Sequence, residues 1–188
     1  MKIILAVTGG IACYKALSLV SVLDSKGHEV QVVMTDHAKK FVNLVSFAAL
    51  SHRPVITDED EWGDKASEIP HIYYPQKWKA DVFVVAPATA NIIGKFANGI
   101  ADDVVSSMYM ACPAYTPKLI FPAMNEIMYS SCALQRNIKT LVLDCCFVGK
   151  VETKKLACGN IGKGGLALTE HIVEQIEYYN TKSNDERK

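Results

Sequence analysis

Short runs of apolar residues alternate along the chain with longer segments in which apolar positions recur at helical spacing. The runs predict buried strands over residues 3–7, 30–34, 81–86 and 118–121, with a further strand over 140–144, because strands covered on both faces are hydrophobic throughout. Strands that alternate with helices form right-handed βαβ units. The pattern therefore predicts a single-domain α/β fold of the Rossmann-like, flavodoxin-like type, an open parallel sheet with helices on both faces.

Helical spacing predicts helices between these strands. The first helix ends near Ser25, with Gly27 as its C-cap, and later helices cover residues 38–50, 91–110 and 169–179. In the helix over 38–50 we expect one apolar face. Its members are Phe41, Leu44, Val45, Ala48 and Ala49.

Three segments depart from this alternation. Residues 57–69 are acidic and predict an exposed loop, and residues 150–168 are rich in lysine and glycine and predict an irregular flap. Residues 181–188 are polar and predict a disordered tail. We therefore expect residues 1–180 to form the domain.

Composition narrows the class of protein. The chain has 188 residues, 49% of them hydrophobic, and no net charge, which suits one globular domain and gives no electrostatic support for binding nucleic acid or an anionic membrane. The six cysteines form no CxxC pair, so we predict no metal site, no disulfide framework and a cytoplasmic location. The first apolar run ends at Gly9 and is too short for a signal peptide, and no run approaches the ~18 residues of a membrane span.

Two polar turns follow predicted strands. The stretch PATAN (87–91) follows the third strand, and PAMNEIM (122–128) follows the fourth. Ligands of open parallel sheets bind in the crevice outside the carboxyl ends of the strands. Two asparagine-bearing turns at such ends therefore predict one shared ligand site.

The turn between the first strand and the first helix contains Thr8, Gly9, Gly10, Ile11 and Ala12. Glycines let the backbone approach a ligand closely, and free N–H groups at a helix N-terminus favour a phosphate. The turn lacks the GxGxxG spacing and no acidic residue ends the second strand, so a mononucleotide is favoured over a dinucleotide. A tight turn without a ligand would explain the same residues.

Three further features each allow two interpretations. Cys158 lies in the glycine- and lysine-bearing segment LACGNIGKGG (156–165), which favours a reactive thiol, although most cysteines are small core residues. His71 follows Pro70 and is either functional or an ordinary surface histidine. The Asp102–Asp103 pair falls inside a predicted helix and is either an acid/base pair or, more commonly, a cap or solvated turn.

Together these motifs resemble those of the homo-oligomeric flavin-containing cysteine decarboxylases. PATAN is similar to that family's PASANT motif, PAMNEIMY to PxMNxxMW, and LACGNIGKGG to its substrate-recognition clamp. TGGIACYKA and His71 also fit, and the resemblance extends over residues 2–176 with the motifs in the family's order. It implies flavin mononucleotide (FMN) as cofactor and a homo-oligomer, a trimer or a multiple of trimers, with the flavin between subunits.

The resemblance also implies roles for individual residues. His71 would be the base or orienting group beside the reacting thiol, and it is expected to act on a neighbouring subunit's flavin. Asn125 would hold the substrate carboxylate or amide, and Cys158 would donate a proton. The residues expected to cradle flavin mononucleotide are Gly9, Gly10, Ile11, Thr35, Thr89, Ala90, Asn91 and Ala123.

The substrate depends on the flap. Cys158 favours the branch of the family that acts on 4'-phosphopantothenoylcysteine in coenzyme A biosynthesis, because peptide-cysteine decarboxylases generally lack this cysteine. Asn160, Gly165 and Leu166 depart from the residues usual in the clamp, which keeps a C-terminal peptide cysteine open as an alternative substrate. A non-catalytic regulatory subunit is a third hypothesis, and retention of the catalytic set argues against it.

Overall fold

The computed structural model describes residues 1–62, 69–155 and 161–185. Its main sheet has five parallel strands in the order β2-β1-β3-β4-β5, and two further strands form an antiparallel pair. The strands are β1 (Lys2–Val7), β2 (Glu29–Met34), β3 (Val82–Ala88), β4 (Lys118–Pro122), β5 (Phe147–Val148), β6 (Glu152–Lys155) and β7 (Ile161–Gly165).

Helices connect the strands of the main sheet. They are α1 (Cys13–Ser25), α2 (Asp36–Lys39), α3 (Leu44–Ser51), α4 (Asp58–Trp62), α5 (Pro70–Ile72), α6 (Ala90–Ala97), α7 (Val104–Ala111), α8 (Glu126–Ser130), α9 (Cys132–Leu143) and α10 (Thr169–Asp185). A π-helical segment, Tyr73–Lys77, continues from α5. No helix within the described ranges combines the length and the apolar character that a membrane crossing requires.

The central strand β1 organises the core. Leu5 lies opposite Val32 of β2 and Val84 of β3. Alternate residues of β1 point to opposite faces, so Leu5 joins one buried cluster, which contains Ile176 of α10, and Ala6 joins another, which contains Ile93 of α6. The prediction of an open parallel sheet with helices on both faces is therefore confirmed.

The strand order creates a crevice. From β1 the chain first adds β2 on one side and then β3 on the other, and such a switch point is where open α/β sheets bind ligands. The carboxyl ends of β1, β2, β3 and β4 lead into the turns at Thr8, Thr35, Thr89 and Ala123. The predicted position of the ligand site is thus built into the topology.

The prediction of one helix over residues 38–50 is wrong. The chain forms α2 and α3, separated at residues 40–43, and Asn43 begins α3 by accepting a hydrogen bond from Val45 N at 3.0 Å. Phe41 and Val45, placed on the expected apolar face, are exposed. An asparagine cap interrupts the helical spacing because its side chain competes for backbone hydrogen bonds.

The predicted helix over residues 91–110 is also divided. Gly99 adopts a positive φ of 65° after α6, which favours glycine and ends the helix. Asp103 begins α7 as part of a capping box with Ser106. The Asp102–Asp103 pair therefore lies between two helices, and Asp103 has the capping role considered above.

Three further boundaries differ from prediction. Residues 140–144 are not a strand, because 140–143 form the end of α9, and only Phe147 and Val148 pair with β4. A short apolar run gives no periodicity that separates a strand from a helix. The last helix continues to Asp185, beyond residue 179. The flap is not irregular in its described part, where β6 pairs with β7.

Residues 57–69 do not form the exposed loop that their acidity predicted, as far as they are described. Residues 58–62 form α4, whose start is stabilised by Asp60, which accepts a hydrogen bond from Thr57 N at 2.8 Å. Glu61 of this helix is buried. Its burial is a tertiary effect, because the carboxylate contacts His71.

Candidate functional site

A cavity of about 1180 Å³ opens at the carboxyl ends of the parallel strands. All eight residues expected to cradle flavin line it, namely Gly9, Gly10, Ile11, Thr35, Thr89, Ala90, Asn91 and Ala123. Asn125 and, from the flap, Gly164, Gly165 and Leu166 line it as well. The structure thus brings together turns from four strands and one edge of the flap around one space.

The turn that follows β1, residues 8–12, is called the glycine turn and lies against the start of α2. A Cβ on Gly9 would overlap the His37 side chain and lie 2.7 Å from its carbonyl carbon, so the packing requires glycine. The turn leads into α1, whose N-cap residue Ala12 provides no side-chain acceptor. Amide groups at this helix end therefore remain suited to an anionic ligand.

The glycine turn is joined to the PATAN turn by Thr8. Its hydroxyl donates to Pro87 O at 2.8 Å and accepts from Thr89 N at 3.0 Å. Thr89 in turn begins α6, where its hydroxyl accepts from Ile92 N at 3.4 Å. The two turns are consequently held in one arrangement beside the cavity.

Thr35 supplies a buried polar atom to the cavity wall. Its Oγ1 is buried and forms no hydrogen bond with any residue in the described ranges. A buried hydroxyl left unpaired costs free energy, and Thr35 lines the cavity. This hydroxyl, the helix-end amides and the small Ala90 and Ala123 together fit a ligand that carries a phosphate and a flat apolar ring.

Asn125 has a structural contact as well as a place in the cavity wall. Its Oδ1 accepts a hydrogen bond from Met128 N at 2.8 Å and so begins α8. Within the described part of the chain its Nδ2 donates to no acceptor, so the amide can still donate to a ligand. The neighbouring Met124 N donates to Gly164 O at 2.9 Å, which attaches the flap to this turn.

His71 does not line the described wall of this cavity in its own chain. It lies in α5, where its Nδ1 contacts Oε1 of Glu61 and its backbone N donates to Oε2 of Glu61 at 3.2 Å. The Glu61 side chain is 2% exposed. Sequence reasoning missed Glu61, although Thr57 and Asp60 have the spacing of a capping box and thereby indicated a helix.

Cys158 lies outside the described residues. Among the described cysteines, burial raises the pKa of the Cys13, Cys112 and Cys146 thiols. A raised pKa disfavours the nucleophilic thiolate. These three residues therefore have the properties of core cysteines, as their apolar settings indicated.

Charged groups also line the cavity. Lys95 contacts Asp102 and Asp103, each at 2.5 Å, and although burial acts in the opposite direction these carboxylates raise the pKa of Lys95. The pair Asp102–Asp103 is thus an ion-pairing group in this structure. Lys15 of α1 and Lys154 of β6 line the same cavity.

Comparison with known proteins identifies relatives over nearly the whole chain. The Flavoprotein family model matches residues 1–180. The probable phosphopantothenoylcysteine decarboxylase of Streptococcus mutans is 39% identical over 176 residues, which cover 94% of this chain and 97% of that protein. The coenzyme A biosynthesis bifunctional protein CoaBC of Bacillus subtilis is 47% identical over 177 residues, but the chain spans only 42% of its length.

Solved structures give the same result for the fold. A PPC decarboxylase variant complexed with pantothenoylaminoethenethiol has a TM-score of 0.86 at 28% identity, covering 95% of this chain and 97% of that one. The FMN-binding protein AtHal3 has a TM-score of 0.82 at 29% identity, covering 95% of both chains. The resemblance inferred from the motifs is confirmed, and the chain belongs to the Flavoprotein family.

Proposed function

We propose that the chain is an FMN-dependent decarboxylase that converts 4'-phosphopantothenoylcysteine to 4'-phosphopantetheine in coenzyme A biosynthesis. The observation that carries this proposal is the cavity in which the eight flavin-cradling residues, Asn125 and the flap come together. The Streptococcus mutans relative, which this chain matches over nearly its full length, is named for the same activity.

The reaction requires oxidation before decarboxylation. The carboxylate of an N-acyl cysteine has no electron sink, so direct loss of CO2 would leave an unstabilised carbanion. Oxidation of the CH2–SH side chain to a thioaldehyde places a C=S group beta to the carboxylate, and loss of CO2 then gives an enethiolate. Hydride and a proton return to this enethiolate, so the overall cycle is redox-neutral.

The chain's contribution is to bind and orient the two reactants. When bound, flavin mononucleotide supplies the two-electron acceptor and donor that amino-acid side chains lack. The glycine turn and the N-terminus of α6 fit its phosphate. The buried hydroxyl of Thr35, which has no partner among the described residues, fits a polar group of the same molecule. Thr8 keeps the two turns at a fixed separation.

Three residues act on the substrate in this proposal. Asn125 Nδ2 donates to the substrate carboxylate or amide while Oδ1 remains engaged with Met128 N. His71 accepts the thiol proton, and Glu61 acts through His71 as a positioning residue. Cys158, outside the described residues, donates the proton that completes the product.

The position of His71 supports a homotrimer with shared sites. Since the described cavity wall does not include His71 of the same chain, His71 reaches the reacting thiol from a neighbouring subunit in our proposal. The expected compartment is the cytoplasm, where thiols stay reduced. Sedimentation of the flavin-loaded protein should give a trimer or a multiple of a trimer.

The test of this function is direct. Purified protein should bind FMN, turn yellow, release CO2 from 4'-phosphopantothenoylcysteine and yield 4'-phosphopantetheine by mass spectrometry. A colourless protein that takes up no flavin would contradict the proposal. Incubation with peptides that end in cysteine tests the alternative substrate, for which decarboxylation with oxidation would appear as a mass loss.

A further inference from the structure

Two lysines from different elements meet at the cavity wall. Lys15 extends from α1 and Lys154 from β6 of the flap, and both line the cavity. Lys154 Nζ donates to Leu166 O at 2.9 Å, which holds its ammonium group at the base of the flap. The ammonium group of Lys15 is close enough to Lys154 to help lower its pKa.

Within the described ranges, these two ammonium groups form none of the salt bridges that other lysines form. Lys95 is paired with Asp102 and Asp103, and Lys39 is paired with Asp36 at 2.6 Å. Among the residues that the structure describes, no carboxylate forms a salt bridge with Lys15 or Lys154. Two adjacent cations without a counter-ion repel each other, so the pair favours an anion between them.

The pKa of Lys154 is consistent with this lack of neutralisation. Burial and the positive charge of Lys15 lower the pKa of Lys154 to about 8, and the carboxylate of Glu152 opposes the shift only in part. Oε1 of Glu152 itself lies 3.9 Å from Nδ1 of His171. A bound anion would remove the repulsion between the two lysines.

The flap provides space for this arrangement at Gly165. A Cβ on Gly165 would overlap the Lys154 side chain and lie 2.9 Å from its Nζ. The missing side chain of Gly165 lets Lys154 lie across the strand toward the cavity.

We propose that Lys15 and Lys154 bind the terminal phosphate of the phosphorylated substrate. The assignment rests on the proposed function and adds a specificity site to it. Two lysine ammonium groups match the charge of a phosphate monoester dianion. The flavin phosphate has the same chemistry, but the glycine turn and the end of α6 already offer it N–H groups, whereas Lys154 lies on the flap that also carries Cys158.

The test compares phosphorylated and unphosphorylated ligands on flavin-loaded protein. Calorimetry should show that wild-type protein binds 4'-phosphopantetheine about tenfold or more tightly than pantetheine, the size expected for hydrogen bonds to a charged group. Lys15→Met and Lys154→Met should each reduce this ratio severalfold, and the double variant should abolish it. The affinity for pantetheine and for FMN should stay unchanged.

Two further variants make the test specific. Gly165→Ala keeps both charges but displaces Lys154, so it should also reduce the ratio. Lys26→Met removes an exposed lysine that pairs with Glu177, so it should leave the ratio unchanged. An unchanged ratio in the double variant would overturn the proposal, as would a loss of FMN affinity in place of the ratio, because the lysines would then hold the flavin phosphate.

The binding measurement also separates this proposal from the decarboxylase function. If wild-type protein released no CO2 from 4'-phosphopantothenoylcysteine but kept a lysine-dependent preference for phosphorylated ligands, the function would fail and the phosphate site would stand. If CO2 were released with equal KM by wild-type and double-variant protein, the function would stand and the phosphate site would fail.

Discussion

Both carboxylate oxygens of Glu61 face His71. Oε1 contacts ring Nδ1, and Oε2 accepts the backbone N–H of His71 at 3.2 Å. An ionised carboxylate can accept hydrogen bonds but cannot donate them. This contact therefore favours a proton on Nδ1 of His71 and leaves Nε2 as the acceptor. Glu61 thereby fixes both the orientation and the tautomer of the ring that we propose as the base.

Replacing Glu61 by glutamine should lower kcat by roughly tenfold to a hundredfold, within the contribution of a well-placed general base. The KM for substrate and the affinity for FMN should change little, because Glu61 does not line the cavity within the described chain. Steady-state kinetics and flavin titration check this separation. Glu61→Asp should restore part of kcat, since it keeps the negative charge.

Glu59→Gln is the matched control for Glu61. Glu59 lies in the same helix, but its side chain is 86% exposed and contacts only Lys39, at 3.4 Å, among the described residues. Exposed ion pairs contribute little to stability. Loss of the pair between Glu59 and Lys39 should therefore leave kcat unchanged. Equal effects of the two glutamine variants would show that Glu61 acts through the general stability of α4 and not through His71.

The parts of the fold that could be predicted depend on local patterns. The strands around Leu5 and Val84 are apolar throughout because helices cover both faces of the sheet. The turns that follow them carry the glycines and asparagines that line the cavity. Strand ends and turn chemistry are adjacent in sequence, so one shared ligand site could be predicted at these turns. The eight residues that the resemblance implied as a flavin cradle all line that cavity.

Other features depend on partners distant in sequence. Glu61 lies in an acidic run that is typical of a solvated loop, and only its contact with His71, ten residues later, explains its burial. The interruptions near Asn43 and Asp103 follow from side-chain caps that compete with continued helix. Lys15 and Lys154 are far apart in the sequence but interact at the cavity wall, which no local pattern predicts.

Asn125 caps α8 and is also proposed to bind the substrate. A suitable substitution separates these two roles. Asn125→Ser keeps an oxygen that can accept from Met128 N but removes the amide donor. The midpoint of thermal unfolding should therefore stay near that of the wild type, while kcat/KM should fall by at least roughly tenfold for the lost hydrogen bond to a charged group. Calorimetric unfolding and steady-state kinetics give the two readouts.

Asn125→Ala is the comparison for that prediction. It removes both the cap and the amide, so it should lose activity and also about 1 kcal/mol of stability. If the serine variant retained full kcat/KM, the proposed contact between Asn125 and substrate would be wrong.

The two glycines of the glycine turn, Gly9 and Gly10, should differ in their tolerance of a side chain. Gly9→Ala should lower the free energy of unfolding of flavin-free protein by roughly 1–3 kcal/mol, because the new Cβ overlaps His37. At Gly10 the nearest atom is Thr89 Cγ2 at 3.8 Å, an ordinary contact, so Gly10→Ala should have stability near that of the wild type. Urea unfolding measures both, and equal losses would contradict the packing argument.

Cys158→Ser tests the last proton transfer. Serine is a far weaker acid than cysteine, so the variant should still release CO2 but accumulate the enethiol, which has two hydrogens fewer than 4'-phosphopantetheine. Mass spectrometry distinguishes the two products. Cys132→Ser, which changes an exposed cysteine, should form 4'-phosphopantetheine normally, and a Cys158→Ser variant that did the same would refute the role.

The lowered pKa of Lys154 gives a stability effect with a definite sign. Its pKa is about 8 in the folded protein against 10.5 for an ordinary lysine. Between these values the unfolded chain binds more protons, so the free energy of unfolding rises with pH. Lys154→Met lacks this pH-dependent contribution, so its free energy of unfolding relative to wild type should fall as pH increases from about 7 to 10.

Lys15→Met removes one cause of the lowered pKa of Lys154 but leaves the effect of burial. NMR titration of 13C-dimethylated lysines should therefore show the pKa of Lys154 moving part of the way back to its ordinary value. A Lys154 resonance that titrates at the same pH in wild-type and Lys15→Met protein would show that the two ammonium groups do not interact.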